Sequence, residues 1–161
     1  MESTKTILIT GGCGYIGSHT ALDLLSNGYN VVSIDNLSRS KQFVPERIKT
    51  ISGKDFINYR IDLRDLPKLR TILHNHTDIV GIIHFAAFKS VGESVQKPLI
   101  YFDNNINSTI NILRIAEEYA IPNFVFSSSC SVYGNTTDLP VNENTPLPSP
   151  ESPYGWTKLI S

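Results

Sequence analysis

Apolar residues fall in short runs closed by glycine or an acid, separated by longer stretches with helical spacing. Thr6-Ile7-Leu8-Ile9 runs into Gly11 and reads as a buried strand, after which Tyr15 to Asn27 switches to helical spacing through Ile16, Ala21, Leu24 and Leu25. Gly28 closes that helix. Val31-Val32-Ser33-Ile34, ended by Asp35, is a second strand. Phe56-Ile57-Asn58-Tyr59 is a third, followed by Asp62-Leu63 and a helix from about Asp65 to His74. Ile79 to Phe85 is the fourth strand and Phe124-Val125-Phe126 the fifth. Between them Pro98 to Ala120 is amphipathic, with apolar residues at Ile106, Ile110, Leu113 and Ile115 and Pro98 suited to a first helical position. Strands alternating with helices indicate parallel βαβ units, and the right-handed crossover rule leaves an α/β, doubly wound parallel sheet of Rossmann-like kind.

Two segments break the rhythm. Thr136 to Pro153 holds five prolines among polar residues and reads as a surface loop, because helical material follows at Tyr154. Lys89 to Lys97 lies just past the fourth strand's carboxyl end, where open parallel sheets bind ligands.

The 161 residues predict one domain, 1–161, large enough to bury a core. With 14 Lys+Arg against 15 Asp+Glu, the net charge of -1 gives neither a nucleic-acid footprint nor a polybasic membrane anchor. No apolar run approaches membrane-spanning length, and Cys13 and Cys130 in a chain with no apolar leader point to a reduced, cytoplasmic setting. No metal site is expected: His19, His74 and His76 have no ligand-like grouping, and His84, ending an apolar strand, reads as a satisfied buried histidine.

Chemistry concentrates at the two ends of the chain. Gly11, Gly14 and Gly17, with Tyr15 and Ile16 between the last two, sit between a strand and a helix, where missing side chains let backbone N–H groups and a helix N-terminus face a pyrophosphate. Asp35 ends the second strand about where an acid would accept hydrogen bonds from an adenosine ribose, and no cation stands immediately beside it for a 2′-phosphate, so NAD is preferred over NADP. Arg39 and Lys41 are near enough to matter. Tyr154 and Lys158, four apart, share one helix face, so the ammonium can favour the phenolate and make the tyrosine a general acid/base. Ser129, just past the fifth strand, can hydrogen-bond a reacting oxygen beside Tyr154.

Thr10-Gly11-Gly12-Cys13-Gly14-Tyr15-Ile16-Gly17, Asp35-Asn36-Leu37, Asp62-Leu63, His84-Phe85-Ala86-Ala87, Ser127-Ser128-Ser129 and Tyr154-Gly155-Trp156-Thr157-Lys158 run in the order found in the extended short-chain dehydrogenase/reductase family, which the chain resembles along its whole length. Lys89 to Pro98 and Asp103-Asn104-Asn105 resemble, within it, the nucleotide-sugar epimerases that interconvert UDP-glucose and UDP-galactose by transient oxidation at C4. The resemblance implies NAD lined by Gly14, Tyr15, Ile16, Asp35, Asn36, Ser40, Asp62, Leu63, Phe85, Ala86, Ala87, Lys89, Asn104 and Ser127, with Asp62-Leu63 against adenine and Tyr154 and Lys158 at the nicotinamide end. Related dehydratases carry an Asp-Glu pair directly after the position of Ser129, and here Cys130-Ser131 follow instead, which argues against water loss. The resemblance also implies a C-terminal substrate part beyond these residues, a UDP-sugar partner and a homodimer in a full-length protein. The 161 residues alone are then expected to be inactive, with Tyr154 and Lys158 poorly held and exposed and apolar surface bare around Ile106 to Leu113. The competing readings are a truncated, non-catalytic dinucleotide-binding module and another nucleotide-sugar epimerase or decarboxylase of the same extended family.

Overall fold

The computed structural model describes residues 5–161. They divide into two compact units: one runs to Ala86 and resumes over Ile110–Ser127, the other comprises Ala87–Thr109 and Ser128–Ser161.

The first unit is a parallel sheet of β1 (Thr6–Thr10), β2 (Asn30–Ile34), β3 (Ile57–Tyr59), β4 (Ile79–His84) and β5 (Asn123–Phe126) in the order β3-β2-β1-β4-β5. Alternate strand residues face opposite sides. Ile9 and Val31 pack with Ala21 and Leu25 of α1 (Tyr15–Ser26) and Ile48 of α2 (Val44–Ser52). Leu8, Val32, Ile34 and Ile82 pack with Leu69, Ile72 and Leu73 of α3 (Leu66–His74) and Ile112 and Ile115. Apolar residues on both faces are what a sheet covered on both sides requires. The carboxyl ends of β1, β2 and β4 bring Gly11, Asp35 and Phe85 to one edge of the sheet.

The strands and the helices α1 and α3 lie where the hydrophobic pattern puts them, within a residue or so. The helix α2 was not legible: it is short, polar on most faces and buries chiefly Ile48, although Pro45 in its first turn, Glu46 beside it and left-handed Gly53 (φ 64°) after its end are ordinary helix boundary signals.

The second unit holds α4 (Val91–Gln96), the first half of α5 (Pro98–Glu118), a 3₁₀ turn (Cys130–Tyr133) and α6 (Pro153–Ile160). No helix or strand lies between Tyr133 and Pro153, in keeping with a loop, but Thr145 and Pro150 within it are buried. On α5 the buried positions include Asn104, Asn105, Ser108, Thr109 and Asn111 beside Tyr101, Ile112 and Ile115. Ile110 and Leu113 are 41% and 45% exposed, so the inward face is largely polar, and two of the four apolar positions taken to mark it point outward.

The expectation that Tyr154 and Lys158 are exposed and poorly held is corrected by α6. It forms, and leaves them 8% and 7% accessible. Ser152 caps it, its Oγ accepting from Gly155 N–H at 3.1 Å, and Pro153 begins it. The helix packs on α4 and the 3₁₀ turn. A Cβ on Gly155 would stand 2.8 Å from Pro150 Cβ and 3.2 Å from Ser131 O, so the glycine lets α6 settle against the proline-rich loop.

Candidate functional site

In the first unit the glycine turn is closed by sterics. Gly11 has φ +70°, and a Cβ there would lie 2.9 Å from the Ala86 backbone. A Cβ on Gly12 would stand 2.3 Å from Ser33 Oγ, and one on Gly17 2.2 Å from Gly11 O. Gly14 differs: its φ is -72°, its nearest neighbour would be Gly11 O at 3.3 Å, and it is the N-cap of α1, with no side chain capping the helix. The first-turn amides of Tyr15, Ile16 and Gly17 precede the first helical bond, Ser18 N–H to Gly14 O, and Tyr15 is 78% exposed. An uncapped helix start beside a compressed glycine turn is suited to an anion.

Asp35 organises this edge. Its Oδ2 accepts from Cys13 N–H at 3.0 Å, and its Oδ1 from Leu37 N–H at 2.8 Å and Ser40 Oγ at 3.0 Å. One carboxylate therefore ties the glycine turn to the 36–40 loop. Asn36 Nδ2 donates to Asp62 Oδ2 at 3.4 Å, which links the carboxyl ends of β2 and β3. Hydrogen bonds from Arg64 pull the Asp62 carboxyl down to about 2, against the opposing cost of burial. Leu63 is buried and its carbonyl accepts from Asn111 Nδ2 at 2.9 Å. Phe85 N–H donates to Thr10 O at 3.1 Å and Ala86 N–H to Thr10 Oγ1 at 3.3 Å. Ser127 N–H donates to His84 O at 3.1 Å.

His84 is the satisfied histidine its position suggests: it is buried, with Nδ1 2.6 Å from Thr10 Oγ1 and its ring stacked on Phe126. Burial, and then the charge of Asp35, push the Cys13 thiol up to about 12, so near neutral pH it stays protonated.

In the second unit Tyr154 and Lys158 lie four residues apart on α6, and Thr157 Oγ1 donates to Tyr154 O at 2.7 Å. Asn105 Nδ2 donates to Thr157 Oγ1 at 3.0 Å and to Phe88 O at 3.0 Å, while its Oδ1 accepts from Phe88 N–H at 2.8 Å and Asn104 Nδ2 at 3.0 Å. Four of the expected residues, Asn104, Tyr154, Lys158 and Lys89, are thereby bonded to or adjacent to one hydrogen-bonded network. Asn105 and Thr157 carried no assigned role from sequence, although a buried asparagine on a helix is itself a signal. Lys89 is exposed and Ala87 half-buried. Ser129 caps the 3₁₀ turn, its Oγ accepting from Ser131 N–H at 3.2 Å and lying 3.0 Å from Ser131 Oγ.

Burial holds Lys158 at about 8, below its ordinary 10.5. Below pH 8 both folded and unfolded chains carry the proton and the folded state bears the full cost of a buried ammonium. Between about 8 and 10.5 only the unfolded state keeps the proton, so stability rises with pH across this window. Lys158→Met is expected to raise stability at pH 7 by up to about 3 kcal/mol, with the gain over the native chain shrinking as pH climbs past 8. Thermal melts of both proteins at pH 7 and pH 9.5 check this; an equal difference at both would show that the ammonium is not the cause.

The sequence model of the family described as GDP-mannose 4,6 dehydratase matches residues 8–161. The chain belongs to that family. It is similar to a UDP-glucose 4-epimerase of Schizosaccharomyces pombe, 48% identical over 159 residues that make up 96% of this chain and 44% of that protein. A UDP-glucose 4-epimerase of Bacillus subtilis is 45% identical over 154 residues, 96% of this chain and 45% of that protein. Among solved structures, UDP-glucose 4-epimerase from Bifidobacterium longum in complex with NAD+ and UDP superposes with a TM-score of 0.94 at 41% identity, covering 97% of this chain and 46% of that one. The UDP-Glc/GlcNAc 4-epimerase from Campylobacter jejuni gives 0.90 at 35% identity, with 97% and 46% covered. The family resemblance and the Rossmann-like fold read from the sequence are thus borne out, and the chain spans about half the length of the curated relatives it matches.

Proposed function

We propose that these residues form the NAD-binding part of a nucleotide-sugar epimerase that interconverts UDP-glucose and UDP-galactose. The observation that carries the reading is the turn at Gly11–Gly17: Gly11, Gly12 and Gly17 admit no Cβ, while Gly14 opens an uncapped twelve-residue helix whose first-turn amides precede its first helical bond. The residues present fit a dinucleotide. The turn and α1 would hold the pyrophosphate, Asp35, Asn36 and Ser40 the adenosine ribose, and Asp62-Leu63 the adenine, with Phe85, Ala86, Ala87, Lys89, Asn104 and Ser127 as further contacts.

NAD, when bound, supplies the hydride acceptor for sugar C4 and gives the hydride back. The chain's own residues move the proton: Tyr154 takes it from the 4-hydroxyl and returns it, Lys158 puts a positive charge on the same helix face, and Ser129 orients the reacting oxygen. Cys130-Ser131 after Ser129, in place of an Asp-Glu pair, favour plain reversible redox over water loss. In a whole protein we assign the exposed Ile110 and Leu113 of α5 to a homodimer contact. We place the reaction in the cytoplasm, where Cys13 and Cys130 would remain the free thiols they are here.

The test is turnover of UDP-galactose by the whole protein carrying these residues. UDP-glucose should form with no net NADH; stoichiometric NADH or a dehydrated sugar would contradict the reading. Cofactor choice gives a second test. Asp35 should repel a 2′-phosphate, so NADP should bind at least about tenfold more weakly than NAD. Equal affinities in a calorimetric titration would assign a compensating role to Arg39 or Lys41.

A further inference from the structure

The sequence Ser90-Val91-Gly92-Glu93 has the form of a capping box, in which the serine accepts from the amide of the fourth residue and the acid reaches back to the amide of the serine. Only half of that pattern is made directly. Ser90 Oγ accepts from Glu93 N–H at 3.4 Å, but Ser90 N–H donates to the hydroxyl of Tyr101, on α5, at 3.1 Å. The same hydroxyl donates to Glu93 Oε2 at 2.9 Å. The phenol is inserted into the box, between the amide and the acid that would otherwise meet.

Tyr101 is 1% exposed, and its ring meets Phe88 edge-on at 5.7 Å. Phe88 and Ser90 flank Lys89. Both neighbours of an exposed lysine are therefore held by one buried side chain, one through its ring and the other through its oxygen. A six-residue helix such as α4 has little stability of its own, so a tether of this kind adds order to the turn before it, beside the bonds of Asn105 to Phe88.

We propose that Tyr101 is a positioning residue of the dinucleotide site, completing the α4 capping box through its hydroxyl and so fixing the turn that presents Lys89. This rests on the assignment of Lys89 to the cofactor. Removing the hydroxyl while keeping the ring, as Tyr101→Phe, leaves Phe88 packed and frees the Ser90 end. Glu93→Gln keeps an acceptor for the phenol while removing the ion pair with Lys97 at 3.7 Å, and should leave the bond from Ser90 N–H to the phenol in place.

Two readouts separate the tether from the function it serves. Hydrogen exchange at the Ser90 amide should quicken at least tenfold in Tyr101→Phe and not in Glu93→Gln; unchanged exchange would overturn the tether whether or not NAD binds. NAD affinity should fall about fivefold in Tyr101→Phe, and Tyr101→Phe should cost nothing further in a Lys89→Met background, because the two act through one contact. If the native chain binds NAD and Tyr101→Phe binds it equally, or the two losses add, Tyr101 does not act through Lys89. If the native chain binds no NAD, the cofactor assignment itself fails, and with it the role of Tyr101 in that site.

Discussion

Tyr154→Phe, in the whole protein, is expected to lower UDP-galactose turnover by about 10²–10⁴, the range seen when a positioned general acid/base is removed. The phenol oxygen is the only group lost. Tyr154 is buried, its helix is capped by Ser152 and its carbonyl is bonded by Thr157, so the ring should stay in place and KM should change little beside kcat. Lys158→Ala should cost orders of magnitude as well, through loss of the charge four residues on. Ser129→Ala should be milder, because its hydroxyl is already shared with Ser131 and serves only to orient. Near-native turnover by Tyr154→Phe would assign the base elsewhere. The 161 residues alone are expected to show no turnover, since they span about half the length of the relatives whose names carry the activity.

Gly14→Val is expected to abolish NAD binding with the fold intact, while Gly17→Ala damages the fold itself. The difference is steric. At Gly14 the backbone is ordinary for any residue and a Cβ meets a single atom, Gly11 O at 3.3 Å, which a shift of a few tenths of an ångström relieves, and the branched side chain then stands at the N-cap of α1, beside the proposed phosphate site. At Gly17 a Cβ would come within 2.2 Å of Gly11 O and 2.8 Å of Gly12 Cα, both backbone atoms. Only movement of α1 away from the turn relieves that, at about 1–3 kcal/mol or more for an overpacked site. Far-UV melts together with calorimetry distinguish the two. A Gly14→Val chain that still binds NAD at native affinity would remove the turn from the phosphate site.

The sheet was legible because buried parallel strands are nearly continuous apolar runs, as residues 7–9 and 79–83 are. The long helix was legible in extent and misread in orientation. Its inward positions include Asn104, Asn105, Ser108, Thr109 and Asn111, which pattern reasoning puts in water. Two of them are held inside by bonds to other elements, Asn105 to Phe88 and Thr157 and Asn111 to Leu63, while Asn104 and Thr109 bond back to Asn105 within the helix. The burial of Tyr154 and Lys158 was hidden for the same reason. A tyrosine and a lysine next to a proline-rich loop look like surface, and the packing of Gly155 against Ser131 and Pro150, the contact with α4 and the bond from Asn105 to Thr157 draw the helix in. The glycine turn and Asp35 could be read because their chemistry is local: a turn without side chains, and an acid at a strand end. The bonds that engage Asp35, from Cys13, Leu37 and Ser40, could not be read from residue types alone.

Calorimetric titration of NAD into the 161-residue chain is the most direct measurement of whether this fold is a dinucleotide site. Saturable one-to-one binding is predicted, lost in Gly14→Val and weakened in Asp35→Ala, with both variants melting cooperatively. Absence of binding by the folded native chain, or binding that survives Gly14→Val unchanged, would contradict it.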